Sequence, residues 1–136
     1  MSQSSLILFF DRDMGTSLPK ALLELHFDKQ FYPLHYHQEL FAIDDPDDHW
    51  LKLVGQWQWT VIGHDSQHHA QESEISAIKQ YAIGCFYLWG SEAKRWEKMQ
   101  CFARAYDRIV KAEAETPKPF IYRVTQYGLL RSVPIP

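Results

Sequence analysis

The sequence has few cysteines, no long apolar run and no excess of basic charge, and each shortage excludes a class of protein. Its 136 residues include two cysteines, Cys85 and Cys101, whose spacing fits no metal site, so we expect buried thiols rather than a disulfide framework. No apolar stretch approaches the roughly 20 residues that a membrane-spanning helix needs. Residues 1–5 lack the basic start of a signal peptide. We therefore expect a cytoplasmic protein without membrane contacts.

The formal net charge of -3 gives the chain no general attraction to nucleic acids or other polyanions. The sequence still allows a local basic patch. Spacings in the segment 95–111 predict one positive stripe on a helix, formed by Arg95, Lys98, Arg104, Arg108 and Lys111. Such a row indicates a solvated helix face, which we favour, or a nucleic-acid patch.

The sequence does contain apolar runs that end in acidic residues. Residues 6–10, LILFF, have the pattern of a strand buried on both faces, and Asp11 and Asp13 follow it directly. A second run, 59–62, is followed by Gly-His-Asp, with the acid at Asp65. Helical patterns alternate with these strands. We therefore predict an α/β fold with a mainly parallel sheet and helices on both faces.

The length favours a single domain over residues 1–136. At its end, residues 117–136 contain two extended runs separated by a turn at 126–128, which predict an extended tail or a hairpin packed on the domain.

A further acidic segment, DDPDD at residues 44–48, has the pattern of a helix start. Asp44 or Asp45 can cap the helix, Pro46 fits its first position, and Asp47 and Asp48 then occupy the first turn. The carboxyl ends of parallel strands and the amino ends of the following helices share one rim of the sheet. We therefore expect the acids to converge at this rim: Asp11, Asp13, Asp47, Asp48 and Asp65.

Converging carboxylates repel one another, and a hard divalent cation such as Mg²⁺ or Mn²⁺ relieves that cost. A cation held in this way can orient a phosphodiester, acidify an attacking water and neutralise charge on the phosphate. The pattern therefore indicates hydrolysis of a phosphate ester. The alternative is that each acid merely ends a strand or caps a helix.

The order of three segments resembles the small PIN-like domains of prokaryotes, which include VapC-type toxins of toxin–antitoxin pairs. The segments are LILFFDRDMGTSLPKAL, DDPDDHWLKLVGQWQWTVIGHD and ESEISAIKQYAIGCFYL, and the resemblance covers about residues 6–125. It implies a three-layer α/β/α sandwich and a Mg²⁺- or Mn²⁺-dependent ribonuclease, often opposed by an antitoxin that covers the site.

On this resemblance the catalytic acids are Asp11, Asp47 and Asp65, which would hold one or two metal ions for in-line attack of water on RNA. Asp13 is an extra acid where many relatives have a neutral residue, and Asp48 lies beside Asp47. Glu74, near a predicted helix start, is the candidate for a fourth carboxylate, although a solvated helix-face glutamate would look the same. We count Asp13, Asp48 and Glu74 as second-tier metal ligands.

Two residues are candidates for substrate binding. Arg12 could bind a phosphate or form a salt bridge with the neighbouring acids, and the sequence does not separate these roles. His64 is expected to contact substrate or solvent. A zinc site at His64, His68 and His69 with Asp65 is the less favoured alternative, because no cysteine pair or metalloprotease motif accompanies them. His35 and His37 are expected to be packed or solvent-facing.

Two other functions remain open. The first is a PIN-like domain that has lost its catalytic set and only binds a partner protein. The second is a haloacid dehalogenase-type phosphatase, since FFDRDMGTS resembles the D-x-D motif of that family, but Met14 spoils the match. The expected partners of the ribonuclease are an RNA substrate, a cognate antitoxin and a second copy of the chain in a homodimer.

Overall fold

Six strands form one sheet at the centre of the protein, in the computed structural model that describes residues 6–64, 72–90 and 92–136. In chain order they are β1 (Leu8–Phe10), β2 (Leu34–Tyr36), β3 (Thr60–His64), β4 (Gly84–Leu88), β5 (Phe120–Val124) and β6 (Leu130–Val133). Their spatial order is β2-β1-β3-β4-β5-β6. All neighbouring pairs are parallel except β5 and β6, which are antiparallel. The predicted mainly parallel sheet is confirmed.

Helices cover both faces of the sheet. They are α1 (Ser17–Glu24), α2 (Phe27–Gln30), α3 (His37–Leu40), α4 (Asp47–Trp57), α5 (Glu72–Gln80) and α6 (Arg95–Glu115). Buried residues of α1, α2 and α6 form one hydrophobic cluster with the sheet, and those of α4 and α5 form a second cluster on the opposite face. The predicted three-layer α/β/α sandwich is therefore confirmed.

The apolar run before Asp11 is continuous because β1 is covered on both sides. Leu8 and Phe10 point into the cluster under α6, whereas Phe9 points into the cluster under α4. All three side chains are buried. A central parallel strand has no solvent face, so its sequence shows no polar alternation.

Two helix boundaries differ from the sequence-based expectation. Pro46 occupies the capping position of α4 rather than its first helical position, and the helix begins at Asp47. The sequence pattern of residues 72–84 predicts a helix that ends at Gly84, whereas α5 stops at Gln80 and Ala82 adopts a left-handed φ of 55°. Gly84 instead lies in β4, where a Cβ would come within 2.4 Å of the Phe120 ring. Close strand packing, rather than a helix end, explains this glycine.

The five basic residues of α6 do not form one stripe. Lys98 contacts His64 at the end of β3, whereas Arg104 and Arg108 contact backbone carbonyls in the turn between β5 and β6. The six-residue step from Lys98 to Arg104 rotates the helix by about 240° beyond a full turn, so the two groups face different sides. The five residues therefore form two groups. Arg95 and Lys98 lie at the start of α6, near the end of β3, and Arg104, Arg108 and Lys111 lie beside the hairpin of β5 and β6.

Residues 117–136 contain β5, a turn and β6. Gly128 in the turn has a φ of 86°, and a Cβ there would lie 2.7 Å from the carbonyl carbon of Arg104. The turn therefore packs directly against the backbone of α6. Cys85 and Cys101 are free and buried, which confirms the expectation for them. Among the described residues, no helix is long and apolar enough to cross a membrane.

Candidate functional site

Asp11 lies at the carboxyl end of β1, where the chain leaves the sheet. Its backbone N–H donates to the carbonyl of Ile62 in β3 over 2.8 Å, and the residue is only 6% exposed. Its side chain caps the short 3-10 turn Arg12–Met14 by accepting from the N–H of Arg12. Next to it, a Cβ at Gly63 would lie 3.5 Å from Oδ2 of Asp11, an ordinary contact, but 3.1 Å from the ring of Tyr87. The missing side chain at Gly63 therefore leaves room for the Tyr87 ring beside this carboxylate.

Three further acids act electrostatically on Asp11 from separate parts of the chain. Burial, followed by the charges of Asp13 and Glu74, raises the pKa of Asp11 well above its ordinary value, and Asp47 adds a smaller effect. Asp13 is exposed as a residue, yet protein atoms around its carboxyl, with the charge of Glu74, raise its pKa to about 6. The rim is therefore a cluster of mutually repelling carboxylates: Asp11, Asp13, Asp47 and Glu74.

Asp47 is held in place by two neighbours. The guanidinium of Arg12 forms an ion pair with its carboxylate, and Nε1 of the buried Trp50 donates to the same oxygen over 3.1 Å. Arg12 also donates to the carbonyls of Ile43 at 3.0 Å and Asp45 at 2.9 Å. Arg12 thus ties the 3-10 turn after β1 to the start of α4, and brings Asp47 toward the other acids.

Glu74 reaches the cluster from the first turns of α5. The hydroxyl of Tyr87 in β4 donates to its carboxylate over 3.0 Å. Burial raises the pKa of Glu74, while the bond from Tyr87 lowers it in part. Burial also raises the pKa of Tyr87 well above its ordinary value, so this phenol stays protonated and remains a donor. Tyr87 pairs with Gly63 across β3 and β4, which places it next to Asp11.

His64 closes the rim on the side of α6. Its Nε2 lies 3.0 Å from Nζ of Lys98, and burial together with the Lys98 charge lowers the pKa of His64 to about 4. The ring is therefore neutral at pH 7 and accepts a hydrogen bond from the ammonium group. A backbone hydrogen bond from His64 to Asp13 partly offsets the rise in the pKa of Asp13.

Asp48 lies one residue further along α4 and is exposed. With Asp47 and Glu74 it lines a cleft of about 450 Å³ between the starts of α4 and α5. Asp65, His68 and His69 lie outside the described residues. Because β3 lies beside β1 and ends at His64, the chain leaves β3 next to Asp11.

The other two histidines discussed above are packed against aromatic rings. His37 is buried against Phe9, Phe41 and Trp50, and His35 stacks on Trp59 with the ring centroids 4.4 Å apart. Neither belongs to the acidic rim. Both belong to the layer of side chains between the sheet and α4.

The donor set of the rim suits a hard divalent cation, because its carboxylates carry charge that Arg12 and Lys98 offset in part. Within residues 6–64, 72–90 and 92–136, however, no three His, Cys, Asp or Glu side chains are already arranged to hold a metal ion. Asp47 is engaged by Arg12 and Trp50 in this arrangement, and Glu74 by Tyr87.

Sequence patterns identified the acids but missed Tyr87, Trp50 and Lys98, which position the groups at the rim. Tyr87 lies inside the apolar run 85–89, and Trp50 lies at an apolar position of an amphipathic helix, so neither has a local signal that separates it from core residues. Their polar atoms matter because the register of β3 and β4, and the first turn of α4, direct them to an acid.

Comparison with protein families matches residues 6–90 to a family whose description is PIN-like domain. These residues include β1 to β4 and the described acids of the rim. Searches of the curated proteins and of the solved structures returned no match.

Proposed function

Because the chain belongs to the PIN-like domain family, we propose that it is a metal-dependent ribonuclease that hydrolyses RNA phosphodiester bonds. Domains of this family are often nucleases. One observation supports the proposal above the others: acids from three separate segments lie close enough for the charges of Glu74 and Asp47 to raise the pKa of Asp11 and Asp13 at the carboxyl end of β1. Such a repelling cluster costs stability, and its retention is expected at a functional site.

The proposed cofactor is Mg²⁺ or Mn²⁺. The residues that would hold it are Asp11, Asp47 and Asp65, with Asp13, Asp48 and Glu74 as additional ligands. When bound, the ion would neutralise charge on the phosphate and lower the pKa of a bound water.

The chain's own residues have supporting roles in this proposal. Tyr87 orients the Glu74 carboxylate, and Trp50 orients that of Asp47. Arg12 and His64 are the proposed substrate contacts: the guanidinium of Arg12 suits a phosphate, and the neutral His64 ring stands beside the Lys98 ammonium. We place these two at the entrance used by the RNA.

We further propose that the protein is the toxin of a type II toxin–antitoxin pair, with an antitoxin that covers the acidic rim, and that it forms a homodimer. A gene for a small partner protein next to its own would support this role. Expression of the chain alone should then arrest growth, and expression of both genes should restore it. If expression of the chain alone does not affect growth, the toxin proposal is wrong, while the ribonuclease proposal stands.

A catalytically decayed binding module is the second candidate. It is favoured by the ion pair of Arg12 with Asp47, and by the lack of three prearranged metal donors in the part of the chain that the structure describes. The phosphatase alternative receives no similar support, since the family match includes Asp11, Asp13 and the whole D-x-D stretch.

The test is cleavage of a labelled single-stranded RNA with Mn²⁺, with Mg²⁺ and with EDTA. We expect cleavage by the parent with either metal and none with EDTA. The variants Asp11→Asn and Asp65→Asn should lose the activity, because each removes a proposed metal ligand without changing side-chain size. Asp28→Asn, on α2 near the opposite end of the sheet, is the matched control and should remain active.

Calorimetric titration separates the two candidates. The ribonuclease should bind Mn²⁺, and Asp11→Asn should weaken that binding. A folded parent that neither binds Mn²⁺ nor cuts RNA would instead support the binding module.

A further inference from the structure

A second charged region lies away from the acidic rim, between the last half of α6 and the edge strand β6. A groove of about 510 Å³ runs between these elements. Three cationic residues line it, against the single acid Glu115: Arg108, Lys111 and Arg131. All three are exposed to solvent.

The cationic side chains of the groove come from α6. Arg108 and Lys111 lie on one side of the helix, three residues apart. Arg131 pairs with Arg123 across β5 and β6, on the face of the sheet away from α6. Two adjacent cations beside a groove suit the phosphates of an anionic ligand.

The lining of the groove is polar as well as cationic. The hydroxyls of Thr116 and Tyr122 are hydrogen bonded to each other at 2.9 Å and both line the groove. Each hydroxyl oxygen can also contact a further donor or acceptor. Phosphate oxygens are ligands that hydroxyl and guanidinium groups commonly bind together.

An exposed aromatic ring lies on the turn between β5 and β6, which leads into the groove. Tyr127 is 69% exposed, and the guanidinium carbon of Arg104 lies 5.7 Å from its ring centroid. Arg104 is held there by the carbonyl of Gln126 at 3.4 Å. A ring that is fixed on one side and exposed to solvent is suited to stacking with a nucleic-acid base.

We propose that this groove binds a single strand of RNA, with phosphates on Arg108 and Lys111 and a base on Tyr127. The choice of RNA as the polyanion rests on the proposed ribonuclease function. An acidic protein segment would use the cations but has no comparable use for the stacking ring.

The groove and the acidic rim lie along the same helix. Lys98 contacts His64 at the rim, and Lys111 lines the groove thirteen residues later, which is about 20 Å along the helix axis. The two residues also face different sides of the helix, so an RNA strand that occupies both regions passes around α6 as well as along it. The groove would therefore hold the RNA chain while another part of it reaches the acids.

The experiment measures binding of a fluorescein-labelled, single-stranded RNA of about 20 nucleotides by anisotropy, with EDTA present so that no cleavage occurs. The test variant is the double charge reversal Arg108→Glu with Lys111→Glu. Its matched control is Lys29→Glu with Lys52→Glu, at two exposed lysines of α2 and α4, which makes the same change in net charge. Circular dichroism and thermal melts establish that both variants are folded.

We expect the groove variant to bind RNA about ten-fold more weakly than the control, and to lower the slope of log affinity against log salt by about 1.4. Tyr127→Ala should weaken binding about five-fold, while Tyr127→Phe keeps the ring and the affinity. Equal affinities of the groove variant and the control would overturn the proposal. So would competition by polyglutamate as effective as competition by unlabelled RNA.

Failure of this proposal and failure of the ribonuclease proposal give different results. If the parent cuts RNA with Mn²⁺ but its binding does not depend on the groove, the ribonuclease proposal stands and the groove proposal is wrong. If the parent binds RNA through the groove but never cuts it, the groove proposal stands and the ribonuclease proposal is wrong.

Discussion

The acidic rim and the basic groove are opposite in charge, and they also differ in how their charges are held. At the rim, Asp11 is buried, Glu74 is partly buried, and each is fixed by neighbours in the sheet and helices. At the groove, Arg108, Lys111 and Arg131 are exposed. Repulsion among the acids therefore lowers stability, whereas water screens the cations. A net charge of -3 hides both regions, because it averages over them.

The strongest way to test this contrast is to compare catalysis with binding. Glu74→Gln should lower kcat for RNA cleavage by about 10- to 100-fold with little change in KM, since the amide can still accept from Tyr87 but no longer offers a charged ligand. The groove double variant should instead raise KM and leave kcat unchanged. Single-turnover and steady-state kinetics measure both constants.

Glu24→Gln, at an exposed glutamate of α1, is the control for this comparison and should match the parent. A rise in KM alone for Glu74→Gln, or a fall in kcat alone for the groove variant, would contradict the division between a catalytic rim and a binding groove.

A smaller effect is expected when one arginine is removed from each region. Arg12→Ala should lower the free energy of unfolding by about 2 kcal/mol, because it removes the ion pair with Asp47 and leaves two backbone carbonyls without their donor. Arg108→Ala removes only long bonds to surface carbonyls, at 3.4 and 3.5 Å, and should change stability by about 0.5 kcal/mol or less. Urea denaturation in EDTA measures both. Equal losses of unfolding free energy in the two variants would show that the arginine of the rim contributes no more to stability than the arginine of the groove.

The smallest predicted effect depends on pH. The pKa of Asp13 is raised from 3.8 to about 6, so between these values the folded protein binds this proton and the unfolded chain does not. The free energy of unfolding should therefore fall as the pH rises from about 4 to about 6, and Asp13→Asn should remove that part of the fall.

Above pH 6 we expect Asp13→Asn to be more stable than the parent by about 1 kcal/mol, a value reduced by the water that reaches this exposed residue. Denaturation curves at several pH values in EDTA test this. Asp107→Asn, at an exposed acid of α6, is the control. A stability difference at Asp13 that is the same at pH 4 and pH 7 would show that its carboxyl does not titrate as described.

Sequence patterns predicted the mainly parallel sheet and the meeting of Asp11 with Asp47 at one rim of it. Both follow from where apolar runs end and where helices begin. Five apolar residues before Asp11 can be satisfied only by a strand covered on both faces, and β1 is such a strand. The start of α4 was displaced by one residue, since Pro46 fits the capping position as well as the first turn.

Contacts between distant residues could not be predicted in the same way. The stop of α5 at Gln80 and the left-handed Ala82 have no glycine or proline signal. The helix end is closed by the N–H of Ile83, which donates to the carbonyl of Ile78 across Ala82. The split of the basic row follows from the six-residue gap after Lys98, which spacing does reveal once the helix rotation is counted. The partners of Arg12 and Glu74 depend on the tertiary fold alone.

The tight contact of Gly128 with the backbone of α6 affects the conformational entropy that the protein loses when a ligand binds. Because any side chain at this position would push the turn away from Arg104, the turn that carries Tyr127 is fixed relative to the helix before a ligand arrives. A fixed ring and guanidinium lose little conformational entropy on association. The end of the groove is therefore preorganised, and we expect its affinity to reside in contacts already in place rather than in the folding of a loop.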